Sequence, residues 1–206
     1  VLQNPVENNP YQKKNEYYLN RDLYHKPDKD GLFCADYRAS FGRREELSHI
    51  TTVYGHSWDD NPDGTLFSQL KKYRSPEFAR ENPYIYFSTE KENMAWEVFA
   101  VFDTTIHLPY VRPTLASDKF AQMLDTVHEL SYYNYDVAVS DDDKLLVLST
   151  CTFSVDGHST LPEINDYRFV VMARLVDTGE TRKDDATFAV NSTPAAPDTT
   201  RELRHL

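Results

Sequence analysis

The sequence predicts a mainly β fold, a closed or nearly closed barrel of about eight strands with inserted helices. Several strand-like segments follow one another without an intervening helix, which disfavours a sheet built from βαβ units. The two most apolar segments, 144–150 (KLLVLST) and 168–176 (RFVVMARLV), have the length of buried central strands and are too short to span a membrane. Of the 206 residues, 40% are hydrophobic and 27% are charged, a composition that supports a folded domain with a substantial core.

The first third of the chain predicts two strands and a helix. Residues 1–22 are polar but contain several tyrosines, so we expect a short helical arm packed on the domain. Segments 31–38 (GLFCADYR) and 48–56 (SHITTVYGH) alternate or are rich in Thr and Val, which is typical of strands. A strong turn signal follows at 59–64 (DDNPDG). After this turn, apolar residues recur at helical spacing, namely Leu66, Phe67, Leu70 and Tyr73.

Two further helices are predicted, one on each side of the next strands. Ser75 precedes Pro76, the pattern of an N-cap followed by proline at the first helical position, so a short helix is expected as far as Arg80. Residues 116–130 place their apolar side chains on one helical face, and Ser117 is the expected cap of this helix.

The remaining strands are predicted at 84–88 and 94–106, before the two apolar strands that should be central. From residue 177 the chain is rich in Thr, Asp, Pro and Ala. We therefore expect a helical arm at 1–22, one β-barrel domain at 23–176 and a loose tail at 177–206.

The charge and cysteine content exclude several classes of function. The formal net charge is −11, with no basic stripe, so no nucleic-acid partner is expected. The two cysteines, Cys34 and Cys151, lack C-x-x-C spacing, and no H-x-x-x-H pair occurs, so no metal site is indicated. The cysteines could form one disulfide, or one could be structural and the other reactive. Cys34 alternates with Phe33 in a strand pattern, as a small buried residue would.

Cys151 is the candidate nucleophile because it ends an apolar strand directly before a polar loop. A reactive thiolate needs a basic neighbour, and Arg168 and Arg174 are the candidates. If the two apolar strands pair antiparallel, the end of the first lies beside the start of the second, which brings Arg168 to Cys151. Arg174 would then lie about 20 Å away, at ~3.3 Å per residue, so this geometry selects Arg168.

His56 is the best candidate base, because it ends a strand and enters a turn, a common position for functional side chains. Cys151 lies 95 positions later in the sequence, and spacing alone does not link the two residues.

Three segments, 53–56 (VYGH), 148–151 (LSTC) and 167–171 (YRFVV), resemble the signature regions of sortases and occur in that family's order. The helix inserted at 116–130 and four other stretches are similar to class B sortases. These stretches are 31–38, 66–73, 83–86 and 97–99.

The resemblance implies an eight-stranded sortase β-barrel with an N-terminal helix and a helix inserted before the Cys151 strand. It also implies cell-wall transpeptidation, in which a thiolate attacks a carbonyl of a sorting motif near the C-terminus of a surface protein. Cys151 would be the nucleophile, His56 would exchange protons with the leaving and incoming amines, and Arg168 would stabilise the oxyanion. This chemistry needs no cofactor.

Tyr54, Ser149 and Thr150 flank these positions and are expected to line the peptide groove. Thr152 follows the nucleophile where some relatives have an acid, so the choice of substrate stays open. The implied partners are the sorting-motif peptide of a surface protein or pilin, and an amine from a peptidoglycan precursor or a pilin. The implied location is the outer face of a Gram-positive cytoplasmic membrane, held by an N-terminal anchor outside this sequence.

Three other functions remain open at this stage. A pilin-polymerising sortase would use a pilin lysine as the amine and would give products of high mass. A cysteine peptidase would release a free acid and ignore added amine, although the context of Cys151 is not papain-like. A non-catalytic β-domain that binds wall peptide would keep its function after Cys151→Ala.

Overall fold

The computed structural model describes residues 1–5, 15–155, 158–159 and 167–198. These residues form eleven strands and two α-helices, and in chain order they are β1 (Leu2–Gln3), β2 (Cys34–Ala35), β3 (Ile50–Tyr54), α1 (Pro76–Glu81), β4 (Tyr84–Tyr86), β5 (Ala95–Thr105), α2 (Ser117–Leu130), β6 (Tyr133–Tyr135), β7 (Leu145–Cys151), β8 (Ser154–Val155), β9 (His158–Ser159), β10 (Tyr167–Leu175) and β11 (Phe188–Val190). Short 3-10 helices lie at Tyr18–Asn20, Arg44–Glu46, Leu66–Arg74 and Pro109–Val111. None of the helices in these ranges is long and apolar enough to cross a membrane.

Seven of the strands form one sheet in the order β1-β2-β3-β7-β10-β5-β4. The pairs β1/β2 and β3/β7 are parallel and the other pairs are antiparallel. The mainly β fold is therefore confirmed, and the two apolar strands are central as expected. Within the described ranges the main sheet has seven strands, with β1 and β4 at its edges, so it does not show the eighth strand or the closure of the predicted barrel.

Strands β7 and β10 are apolar along their length because both faces of the sheet are covered. Alternate side chains of a strand point to opposite faces. Leu145 and Val147 join a core cluster with Phe120 and Val127 of α2, whereas Leu146 belongs to a second cluster on the other face. Strands buried on both faces read as continuous hydrophobic runs, which is the pattern in the sequence.

The helices predicted after Ser75 and over 116–130 are present as α1 and α2, and one of their two predicted N-caps is wrong. The Ser75 side chain accepts a hydrogen bond from the Phe78 backbone N–H at 3.3 Å, as predicted. Helix α2 begins at Ser117, and Ala116 occupies the N-cap position without a side-chain hydrogen bond, so the predicted Ser117 cap is wrong. Ser117 lies inside the first turn, where its own backbone is already helical and the side chain no longer serves as the cap.

The described part of the C-terminal segment is not the loose tail that its composition predicted. Strand β11 pairs antiparallel with β6, and the Asn191 side chain donates to the Ser131 carbonyl at 2.9 Å. Thr105, at the end of β5, donates its hydroxyl to the Asp198 carbonyl at 3.0 Å. The short strand β11 (Phe-Ala-Val) packs on the domain although the residues around it are polar. Its three residues contribute little to the average composition of the segment, so composition alone did not indicate it. Residues 199–206 lie outside the described residues.

The N-terminal segment also differs from the expected helical arm where it is described. It contributes the two-residue strand β1 and a single 3-10 turn, and residues 6–14 lie outside the described residues. The turn is held against the domain because the Leu32 backbone N–H donates to the Tyr18 carbonyl at 2.8 Å.

Candidate active site

Strands β3 and β7 end beside the start of the antiparallel strand β10, and the predicted catalytic residues lie at or directly after these strand ends. Tyr54 of β3 pairs in parallel with Ser149 of β7, and Cys151 at the end of β7 pairs with Arg168 of β10. His56 follows Tyr54 by two residues, as Cys151 follows Ser149. The register therefore orders the three positions as His56, Cys151 and Arg168 across the sheet.

These residues continue one face of the sheet beyond the core that α2 covers. Val147 and Val170 pack with α2, and residues two positions further along the same strands share that face. The face becomes polar at Ser149, whose hydroxyl hydrogen-bonds the hydroxyl of buried Tyr110 at 2.9 Å. Cys151 and Arg168 then lie where the apolar cover ends, which gives the site access from solvent.

All six sequence-predicted site residues line one cleft of ≈ 480 Å³. They are Tyr54, His56, Ser149, Thr150, Cys151 and Arg168. The N-terminal segment supplies another wall through Asn15, Glu16, Leu19 and Asn20, which the sequence did not predict.

Cys151 is the accessible thiol of the two. Both cysteines are free, so the disulfide alternative is wrong. Cys34 is completely buried in β2, and burial raises the pKa of its thiol to about 11. Cys151 is only partly buried and faces the cleft, so it is the residue able to meet a substrate.

The His56 ring is oriented by two contacts. Its Nε2 atom lies 2.7 Å from the Leu19 carbonyl oxygen. A carbonyl oxygen only accepts hydrogen bonds, so Nε2 carries a proton and donates it there. The ring also stacks on the half-exposed indole of Trp58, with 4.8 Å between ring centroids and 22° between planes. The remaining nitrogen, Nδ1, is the one that can exchange a proton.

The turn before His56 is tied directly to the strand of Cys151. The Thr150 hydroxyl donates to the Gly55 carbonyl at 2.7 Å, and the Gly55 N–H donates to the Ser149 carbonyl at 3.4 Å. Ser149 and Thr150 are both buried. Their hydroxyls therefore make contacts within the protein, although both residues border the cleft.

Tyr54 lines the cleft as expected and also belongs to a polar cluster with two residues that the sequence did not single out, Asp36 and Arg38. Its hydroxyl donates to Asp36 Oδ2 at 3.4 Å, and Arg38 binds the same carboxylate through Nε and Nη2 at 2.9 and 2.7 Å. Burial opposes ionisation of Asp36, but the Arg38 hydrogen bonds outweigh it and lower the pKa of the carboxyl group. Asp36 and Arg38 lie in the turn directly after β2, where the Arg38 backbone N–H also donates to Asp36 Oδ1 at 2.8 Å.

Lys71 also lies at the site, although the sequence patterns did not indicate it. Its side chain is almost fully buried and donates to the Cys151 carbonyl oxygen at 3.0 Å. The available signal was its position four residues after Phe67, on the buried face of the predicted helix. In the part of the chain that the structure describes, no group of three or more His, Cys, Asp or Glu side chains could hold a metal ion.

Comparison with known proteins places this geometry in a family. A family model described as "Sortase domain" matches residues 26–176. The chain is 30% identical over 165 residues to sortase B of Listeria monocytogenes, covering 80% of this chain and 62% of that protein. It therefore spans less than two thirds of the length of this curated relative.

Two solved structures have the same fold. One is a Staphylococcus aureus sortase B–substrate complex, with a TM-score of 0.65 and 28% identity over 80% of this chain and 71% of that chain. The other is a sortase B complexed with triglycine, with a TM-score of 0.65 and 27% identity over 80% of this chain and 72% of that chain.

Proposed function

The chain belongs to the sortase family, and we propose that it is a class B cysteine transpeptidase that cleaves a sorting motif of surface proteins and joins the acyl product to a cell-wall amine. One observation carries this proposal. Cys151 lies in one cleft with His56, and Arg168 of the neighbouring strand β10 is paired directly opposite Cys151.

In the first step, the Cys151 thiolate attacks the carbonyl carbon of the scissile peptide bond. The negative charge that develops on the oxygen is stabilised by the Arg168 guanidinium, which stays charged and presents several donors. The C–N bond then breaks, His56 transfers a proton to the leaving amine, and a thioester to Cys151 remains.

In the second step, the amine of the acceptor attacks the thioester. His56 takes a proton from this amine, the C–S bond breaks, and Cys151 leaves as the thiolate. A new peptide bond joins the surface protein to the acceptor, and the enzyme returns to its starting state.

The relatives support the two partners of this scheme, since one solved sortase B holds a substrate and another holds triglycine. For this chain we propose a sorting-motif peptide in the cleft and a peptidoglycan precursor as the amine. The corresponding location is the outer face of a Gram-positive cytoplasmic membrane.

Mass spectrometry of peptide products tests the proposal. A panel of sorting-motif peptides is incubated with the protein, with and without triglycine as the amine. Cleavage with an amine-linked product, lost in Cys151→Ala and kept in the matched variant Cys34→Ala, is the expected result.

Other outcomes identify the alternatives. A free acid that ignores triglycine indicates a cysteine peptidase. High-mass ladders formed with a pilin indicate a pilin polymerase. Peptide binding without cleavage by the wild-type protein, retained in Cys151→Ala, indicates a binding domain.

A further inference from the structure

Lys71 is a charged side chain that the proposed reaction does not use, yet it is buried beside the nucleophile. It lies on the 3-10 helix Leu66–Arg74, and 1% of its side chain is exposed. Removing an ammonium group from water is unfavourable unless hydrogen-bond acceptors replace the water. Here they do: Nζ lies 2.8 Å from Asp60 Oδ1, 2.8 Å from the Asp59 carbonyl and 3.0 Å from the Cys151 carbonyl, and it also hydrogen-bonds Ser57 Oγ.

These acceptors come from the two segments that carry the proposed acid–base and nucleophile. Ser57, Asp59 and Asp60 belong to the turn directly after His56, and the fourth acceptor is the backbone of Cys151 itself. One ammonium group therefore joins two segments that are more than 90 residues apart in sequence.

Asp60 extends the connection past the nucleophile. Its Oδ1 atom accepts the Thr152 hydroxyl at 3.2 Å, and its Oδ2 atom accepts the Phe153 backbone N–H at 3.0 Å. Arg74, three residues after Lys71, donates to the Thr152 hydroxyl at 2.9 Å and to Asp103 at 3.1 Å. The Cys151 carbonyl, the Thr152 hydroxyl and the Phe153 N–H are thus held by charged side chains, in addition to the pairing of this strand with β10.

We propose that Lys71 is a positioning residue, which together with Asp60 fixes the Cys151 backbone against the His56 turn and places a positive charge beside the nucleophile. The proposal rests on the proposed function, since it assigns Lys71 a part in the same reaction. Lys71 acts through Cys151 and His56 and does not contact the substrate.

Electrostatics agree with this placement. Burial lowers the pKa of Lys71, and the hydrogen bond and charge of Asp60 oppose that effect. Arg74 disfavours the Lys71 charge, whereas negative charge on Cys151 favours it. The Lys71 ammonium and negative charge on Cys151 therefore attract each other.

The adjacent lysine provides a matched control. Lys72 Nζ forms a 3.6 Å ion pair with Asp63, whose side chain is 82% exposed. Lys71→Met and Lys72→Met remove the same charge one residue apart. The two variants are compared in the rate of Cys151 alkylation by iodoacetamide at neutral pH, followed by peptide mass spectrometry, and in kcat and KM for a sorting peptide.

The expected result is that Lys71→Met slows alkylation and lowers kcat by about tenfold, with KM unchanged within about twofold. Lys72→Met should match the wild type in each measurement. A folded Lys71→Met protein that alkylates and turns over like the wild type would overturn the proposal, because Lys71 would then contribute only to stability.

A second variant covers the case in which Lys71→Met fails to fold. Asp60→Asn keeps the size of a side chain that is 19% exposed and removes the charge that holds Lys71. It should lower kcat with little change in KM, and wild-type kcat in Asp60→Asn contradicts the proposal. Alkylation needs no sorting peptide, so a protein that cleaves no peptide but shows the Lys71 effect on alkylation would refute the proposed function alone.

Discussion

Cys151 and Arg168 face each other directly across the antiparallel pairing of β7 and β10. At the opposite end of the same pairing, Arg174 faces Leu145. One strand therefore carries an arginine at each end, and only one of them lines the cleft. Arg174 instead pairs with Glu97 at 2.6 Å and also with Glu180, which gives it a structural role.

Arg168→Ala and Arg174→Ala should therefore fail in different ways. Loss of an oxyanion donor costs about 10²–10³ in kcat, so Arg168→Ala should lose activity by that factor and keep its unfolding temperature. Arg174→Ala leaves Glu97 buried without its partner and should lower the free energy of unfolding by about 3 kcal/mol. Peptide turnover and thermal unfolding of both variants measure this difference. Equal loss of activity in the two folded variants would remove the special role of Arg168.

The strand register that separates these two arginines was predictable because it depends only on the lengths of β7 and β10 and on the direction of their pairing. Two apolar strands of similar length, paired antiparallel, have one arrangement that brings Cys151 to the start of the second strand. The contacts of Lys71 and of the Leu19 carbonyl were not predictable in this way. They depend on how a helix and the N-terminal segment approach the end of the sheet, and no periodicity in the sequence encodes that approach.

The Leu19–His56 hydrogen bond depends on a glycine. Gly31 has φ +55°, and a Cβ atom there would lie 2.2 Å from the Leu19 carbonyl oxygen. Gly31→Ala should therefore displace this carbonyl, release the His56 ring and lower kcat by about tenfold or more. The NMR ¹⁵N shifts of the His56 ring should change with it.

Gly179→Ala is the matched control for this change. Gly179 has φ +88°, so alanine is strained there as well, but a Cβ atom would meet nothing within 4 Å. This variant should lose about 1 kcal/mol of stability and keep the His56 shifts and kcat. If both glycine variants change kcat alike, the Leu19 contact does not orient His56.

Cys151 and Cys34 should differ in their rate of alkylation, and Cys34 should make stability depend on pH. Iodoacetamide at pH 8 should modify Cys151 and leave Cys34 untouched in the native protein, as read by peptide mass spectrometry. Burial raises the pKa of Cys34 from 9.0 to about 11, so above pH 9 the unfolded chain releases a proton that the folded chain keeps. Stability should therefore fall between pH 9 and 11, and this part of the fall should vanish in Cys34→Ala. Labelling of Cys34 before Cys151 would contradict the assignment.

The C-terminal segment should contribute measurably to stability, because it supplies an aromatic side chain to the core. The Phe188 ring lies 4.6 Å from Tyr133 and 4.9 Å from Tyr135 between centroids, and the Arg80 guanidinium lies over the ring, 5.0 Å from its centroid. Phe188→Ala should lower the free energy of unfolding by about 2 kcal/mol, less than the loss of a fully buried phenylalanine, because the ring is partly exposed.

Val190, on the same strand, is 59% exposed and provides the control. Val190→Ala should change the free energy of unfolding by no more than about 0.5 kcal/mol. Urea unfolding of both variants measures the difference. Equal stabilities of the two variants would mean that β11 detaches in solution, as the composition of the segment predicts. The expected difference would mean that the packing of Phe188 is sufficient to hold this polar segment on the domain.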